Sequence, residues 1–171
     1  MFQSLKKVLT CAGSVIIALS FASPVVAQSG YPDRPIKIIV PYVAGGVADT
    51  FSRALASRLQ TVFGQPVIVE NKPGGSQIIG AMATLAAPAD GYTILVGSTT
   101  SLAVNPHTQK DLKYDPIKDF APISNGMTMP LFLIVTPSVA ANNVKEFLAL
   151  LKKEPNKYSF GSIGNGSSTH M

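Results

Sequence analysis

Residues 36–42 form an almost continuous apolar run, interrupted by Lys37. A strand covered on both faces reads this way, as in a parallel sheet with helices on each side. After Gly45-Gly46, the residues Val47, Phe51, Ala54, Leu55, Leu59 and Val62 recur at helical spacing, with Arg53, Ser57 and Gln60 on other faces. Gly64 then fits a helix stop. Residues 66–71 read as a second short strand and residues 72–76 as a turn. A second helix follows over about 77–87, and a third strand over 93–97 ends at Ser98-Thr99-Thr100. This alternation predicts right-handed βαβ units and a doubly wound parallel sheet.

Residues 106–122 break the rhythm. Asp111, Tyr114-Asp115-Pro116 and Asp119-Phe120-Ala121-Pro122 punctuate a long irregular section that reads as the approach to a domain boundary. Apolar strand material resumes at 131–135. Val144, Phe147, Leu148 and Leu151 mark a short helix, with Asn142 or Asn143 as N-cap. Residues 158–160 read as another strand, leading into a glycine turn with the composition of a helix N-terminus. The sequence then stops at Met171. A strand and turn there have nothing to pack against, so the expectation is a fragment of a chain about twice as long. No internal repeat or low-complexity tract is visible.

The first 27 residues read as a secretory signal. Lys6 and Lys7 form a positive start, and Val8 to Ala22 is an apolar stretch shorter than the roughly 18 residues of a spanning helix. Pro24-Val25-Val26-Ala27 offers short residues for cleavage before Gln28. An uncleaved anchor and a lipoprotein signal at Cys11 are rival readings that fit less well. Cleavage removes the sole cysteine, so the mature chain has no thiol chemistry. It also lowers the formal net charge from +5 to +3 by removing two lysines. That mild basic balance suits acidic ligands, and the lack of a lysine or arginine run speaks against nucleic acid.

Three turns share one design: Gly45-Gly46 with Asp49, Gly74-Gly75-Ser76, and residues 164–169. Each follows a predicted strand and opens a helix. Unpaired N–H groups and the helix dipole favour an anion outside such a turn. In open α/β sheets, ligands sit beyond the C-terminal ends of the strands. A turn that is tight for packing alone is the plain alternative, and any one hydroxyl there is more simply a helix cap. Asp49 suits capping or loop orientation ahead of binding a ligand amine. Residues 75–80 have P-loop glycine spacing, but Ala81-Met82 stands where Lys-Ser/Thr is required. The dinucleotide pattern and the nucleophile elbow are absent, and His107 and His170 are the sole histidines. Neither pairs into a catalytic or metal-binding set, and no cofactor is implied.

An ordered set of motifs carries a resemblance. It comprises Tyr31-Pro32-x-Arg34-Pro35-Ile36, Val40-Pro41-Tyr42-x-x-Gly45-Gly46-x-x-Asp49, Gly64-Gln65-Pro66-Val67 and Val69-Glu70-Asn71-Lys72-Pro73-Gly74. It continues through Asp90-Gly91-Tyr92-Thr93, Tyr114-Asp115-Pro116, Asp119-Phe120-Ala121-Pro122-Ile123 and Gly164-Asn165-Gly166-Ser167-x-x-His170. The series resembles the substrate-binding proteins of tripartite tricarboxylate transporters, the Bug family, across essentially all of the mature chain. The resemblance implies a type II, two-lobed periplasmic binding protein, or Venus flytrap, that holds a small organic acid for membrane permease subunits and is no enzyme.

By the matching motifs, residues 28–123 would be a first α/β lobe lacking its returning part, and residues 124–171 the start of the second. First-lobe ligand contacts would come from Tyr42, Ala44, Gly45, Gly46, Asp49, Ser98 and Thr99. Second-lobe contacts would come from Gly164, Ser167, Thr169 and His170. The chain departs from the family at Tyr42 and Ala44, where Phe and Pro are common. It departs again at Gly75-Ser76-Gln77-Ile78, where the family loop is richer in glycine and asparagine. The ligand's identity is therefore not carried over. Two other expectations stand beside this one: a fragment without activity, and a secreted α/β enzyme using the same turns on an anionic substrate.

Overall fold

The computed structural model describes residues 30–171, so the signal reading and its cleavage before Gln28 lie outside the described residues. The elements below all fall in the contact unit Arg34–Met171. In order they are β1 (Ile36–Val40), α1 (Val47–Phe63), β2 (Val67–Asn71), α2 (Ile78–Leu85) and β3 (Thr93–Leu95). A π-helical turn, Thr100–Val104, then runs into α3 (Asn105–Thr108), and α4 (Val144–Lys153) follows later. A 3-10 turn, Gly75–Gln77, introduces α2.

The three strands are parallel and lie in the order β2-β1-β3. Ile38 stands opposite Val69 on one side and Ile94 on the other. The central place of β1 explains why its sequence lacks polar alternation. Ile36, Ile38, Ile39 and Val40 are at most 1% exposed, each burial contributing roughly 1.5–3 kcal/mol. Ile36, Ile38 and Val40 share one face by strand alternation and pack with Ala48 and Ala56 of α1 and Val67 of β2. Lys37 points to the opposite face, where its half-exposed side chain holds Glu70 at 3.1 Å.

α1 spans the expected residues, but its buried stripe is rotated from the one the large residues suggest. Ala48, Ser52 and Ala56 face the sheet, while Val47 and Val62 are exposed. Small side chains let the helix axis approach the strands, and Leu55 and Leu59 close the flank. The Ser52 hydroxyl is satisfied inside the helix by the Ala48 carbonyl at 2.6 Å. Gly64 ends the helix in the left-handed region, its N–H on the Gln60 carbonyl.

Two expected strands do not form. Residues 131–135 and 158–160 have no strand partner, and Leu131, Phe132, Leu133, Ile134 and Phe160 are exposed. Apolar, β-prone sequence becomes strand only where another backbone completes its hydrogen bonds. Conversely, the helical stretch from Thr100 to Thr108 was not legible, because Pro106 and the polar Asn105 hide its period. Tyr114 ties the irregular segment to it. Its hydroxyl donates to the Ser101 carbonyl at 2.5 Å and accepts from Asn105 Nδ2 at 3.1 Å. Burial pushes that phenol's pKa up. α4 forms as read, with the Asn143 side chain accepting from the Glu146 N–H.

α2 passes so close to the end of β1 that Gly80 has no room for a side chain. A Cβ there would lie 2.7 Å from Pro41 Cβ and 3.1 Å from the Lys72 carbonyl. Gly80→Ala should therefore destabilise the fold by about 1–3 kcal/mol in chemical denaturation. Gly161→Ala, where a Cβ meets nothing within 4 Å, should leave the midpoint unchanged. Equal midpoints for the two variants would mean that α2 is free to shift.

Candidate functional site

All three strands end at one edge of the sheet, and the chain leaves that edge through three turns. The first, residues 41–46, is set by a carboxylate. Asp49 is 3% exposed, and both its oxygens are engaged. Oδ2 accepts from the Gly45 N–H at 2.9 Å and from Arg53 Nε at 3.0 Å, and Oδ1 accepts from Asn71 Nδ2 at 3.0 Å. The same Asn71 amide donates to the Tyr42 carbonyl at 3.1 Å and accepts from Arg53 Nη2 at 3.1 Å. The Arg53 hydrogen bond, then those from Gly45 and Asn71, hold the Asp49 pKa down to about 2. Of the roles weighed for Asp49, this geometry is that of orienting the loop.

Gly45 needs its glycine, with φ at +85°. Gly46 does not need one for the turn's sake. It is the N-cap of α1 in ordinary extended backbone, φ −78° and ψ 174°, with no side-chain cap. A Cβ there would only touch the Val43 carbonyl at 3.7 Å. Serine or aspartate is the usual choice at such a cap. The first intrahelical bond runs from the Thr50 N–H to Gly46, so the preceding N–H groups at the helix mouth have no partner inside the helix.

The second turn holds Ser76 (φ 49°, ψ 43°) and Gln77 (φ 73°, ψ 3°), two successive non-glycine residues in the left-handed region. Each such residue costs on the order of 1–3 kcal/mol unless its surroundings over-determine it. Here they do. Asn105 Nδ2 donates to the Ser76 carbonyl at 2.9 Å, Ser76 Oγ donates to the Asn165 carbonyl at 2.9 Å, and Ser98 Oγ donates to Gln77 Oε1 at 2.6 Å. The third turn is capped by Ser98, whose hydroxyl accepts the Thr100 N–H at 3.1 Å. Thr99 is exposed beside it.

Residues 164–170 fold onto the second and third turns. Thr100 Oγ1 lies 2.8 Å from Ser168 Oγ, and Thr108 Oγ1 donates to the Gly166 carbonyl at 2.9 Å. A Cβ on Gly164, at φ +133°, would sit 2.7 Å from Ser76 Oγ. Ser167 is wholly buried, its N–H on the Gly164 carbonyl and its Oγ 3.3 Å from Thr169 Oγ1. His170 is exposed, with Nδ1 3.0 Å from Ser162 Oγ and its ring against Phe160.

The fold thus brings Ser98 to Thr100, and sets the turn that carries Gly164, Ser167 and Thr169 against Ser76 and Thr100 through Gly164, Asn165 and Ser168. Tyr42, Gly45, Gly46 and Asp49 form a second group at the end of β1, with Ala44 exposed beside them. Among the described residues, no hydrogen bond joins that group to residues 164–170. Sequence reading missed Asn71, Gln77, Thr100 and Thr108, though an asparagine closing an apolar strand is a readable signal. The edge offers hydroxyls, amides and a helix mouth, all suited to binding acceptors. Among the described residues, no group of three or more His, Cys, Asp or Glu could hold a metal, and no helix is long and apolar enough to cross a membrane.

The pattern of the tripartite tricarboxylate transporter family receptor, TctC, matches residues 51–171. The chain belongs to this receptor family. It is 38% identical over 99% of its length to a UPF0065 protein of Bordetella pertussis, covering 50% of that protein. It is 35% identical to protein BugT of the same organism, covering 52% of it. The chain therefore spans about half the length of the curated relatives it matches.

Solved structures share its fold. The periplasmic binding protein BugD is 31% identical with a TM-score of 0.66, over 82% of this chain and 46% of that one. An R. palustris protein with adipate gives 29% and 0.68, over 80% and 46%. MatC from Rhodopseudomonas palustris with bound malate gives 28% and 0.68, over 71% and 42%. The α/β architecture of this TctC receptor is that of the periplasmic binding proteins.

The buried Asp49 gives the receptor an acid-sensitive turn. A carboxyl depressed from 3.8 to about 2 stabilises the fold above its unfolded pKa, and that stability is lost as pH falls through the folded value. Urea midpoints should drop between about pH 4 and pH 2. Asp49→Asn should be less stable at neutral pH and show a shallower acid slope. Parallel slopes for parent and variant would assign the acid sensitivity to other carboxylates.

Proposed function

We propose that this chain is the ligand-binding part of a periplasmic solute-binding protein that captures a small organic anion of the carboxylate class for membrane permease subunits. The observation that carries this is Gly46. A helix N-terminus lies open at the strand edge, and the capping residue lacks a side chain that the turn itself would accept. Space has been left for something outside the turn, and the unpaired N–H groups favour an anion there. Membership of the receptor family supports the reading, as do the fold-mates holding adipate and malate.

In this reading residues 28–123 build one lobe and residues 124–171 begin the other. Tyr42, Ala44, Gly45 and Gly46 form one wall of the site, and Asp49 holds that wall in shape. Its negative charge is offset by Arg53 at 3.0 Å, so it does not repel the ligand from the helix mouth. Ser98 and Thr99 contribute a second wall, and Gly164, Ser167, Thr169 and His170 bring the third from the second lobe. No cofactor takes part.

Titrating the labelled chain with malate and with adipate tests this by NMR. Saturable shifts are expected at the Gly45, Gly46 and Val47 amides. Gly46→Val should fold like the parent, because its Cβ meets only the Val43 carbonyl at 3.7 Å. It should bind at least about tenfold more weakly, the cost of losing one hydrogen bond to a charged group. Ser57→Val, on the exposed face of α1, should bind normally. Unchanged affinity in Gly46→Val, or no saturable shift with either acid, would refute the placement.

A further inference from the structure

Among the described residues, two buried side-chain atoms at the second turn lack a partner, Gln77 Nε2 and the Oδ1 of Asn105, and Gln77 belongs to the turn itself. Gln77 is 3% exposed, and its Nε2 has no hydrogen-bond partner. The orientation of the amide follows from its neighbour. Ser98 Oγ already accepts the Thr100 N–H at 3.1 Å, so its own proton must go elsewhere, and Gln77 Oε1 receives it at 2.6 Å. Turning the amide over would leave the Ser98 proton without an acceptor. The unpartnered end is therefore the NH2, a donor of two hydrogen bonds withdrawn from water.

The backbone that places this amide is itself costly. Ser76 and Gln77 both lie in the left-handed region, and three hydrogen bonds from Asn105, Ser98 and Ser76 hold them there. Strain combined with an orphan donor points to a ligand more than to packing, since packing alone would be served by glycine. The residues on either side of Gln77 in space touch residues 164–170: Ser76 bonds to Asn165, and Ser98 leads through Thr100 to Ser168. The amide thus lies at the edge where that turn meets the ends of β2 and β3.

We propose that Gln77 is a specificity-determining ligand contact, whose NH2 donates to a carboxylate or carbonyl oxygen of the bound organic acid. The proposal rests on the binding reading above and places a second anchor at the same sheet edge as the α1 helix mouth, as a ligand with two oxygen-bearing ends requires. Residues 164–170 hold the neighbours of this anchor, through Ser76 and Thr100. A buried amide donor selects for acids that carry an oxygen acceptor at this second end, since an acid without one leaves the NH2 unpaired.

Malate titration of the chain, followed at the Gln77 side-chain NH2 resonances, tests this directly. These resonances should move with the same saturation curve as the Gly46 amide, together with the amides of Asn165 and Ser168. Gln77→Met, which keeps the length and removes the donor, should weaken malate binding at least about tenfold. Gln77→Glu, which puts a carboxylate where the donor was, should weaken it further. If the Gly46 amide saturates while the Gln77 NH2 stays still, Gln77 satisfies a bound water and the inference fails while the binding reading survives. If neither moves, both fail. Should the variants not fold, the parent's NH2 shift alone decides.

Discussion

The Asp49 carboxylate is the contact on which the first turn depends. It is buried, it is charged, and its two oxygens take donors from three parts of the chain: the turn and α1 on Oδ2, and the end of β2 on Oδ1. A buried charge is tolerable only when paired and hydrogen-bonded, and Arg53 with Asn71 meets both conditions. The consequence is geometric. The Gly45 N–H and the Tyr42 carbonyl are each tied to this network, so the path of the backbone from β1 into α1 is fixed at two points. The helix mouth is then held open and in register with the neighbouring strand.

A second network does for the other turns what the carboxylate does for the first, with hydroxyls and amides in place of charge. Asn105 bridges the Ser76 carbonyl and the Tyr114 hydroxyl, and Tyr114 returns to the Ser101 carbonyl. The left-handed backbone at Ser76 and Gln77 persists because this lattice leaves it no alternative. Residues 164–170 join the lattice through Ser76, Thr100 and Thr108. An uncharged, donor-rich surface of this kind can hold an oxyanion without a fixed counter-charge, which fits the mild basic balance of the sequence.

Much of the fold was legible because it is local. The doubly apolar run of β1 announced a central strand, and α1 began and ended where Gly46 and Gly64 allow. α4 followed its asparagine cap. The failures share one cause. Residues 131–135 have strand composition, yet a strand exists only through a partner, and the partner is not encoded in the segment. The buried stripe of α1 was misread for a related reason. Of the large residues at helical spacing, Leu55 and Leu59 do pack on the core, but Val47 and Val62 are exposed, and close packing on the sheet selected Ala48, Ser52 and Ala56.

The sequence by itself determined the βαβ alternation, the glycine turns at the strand ends, and, through its ordered motifs, the receptor family. These rest on backbone propensity and hydrophobic period, which act over a few residues. The tertiary structure alone decided which polar groups meet. Asn71 reaches Asp49 across 22 positions, and Ser76 reaches Asn165 across 89. It also decided that Gln77, unremarkable in the sequence, is left with a donor unspent. Hydrogen-bond partnership depends on distance in space, and once the sheet brings three strand ends to one edge, separation along the chain no longer limits it.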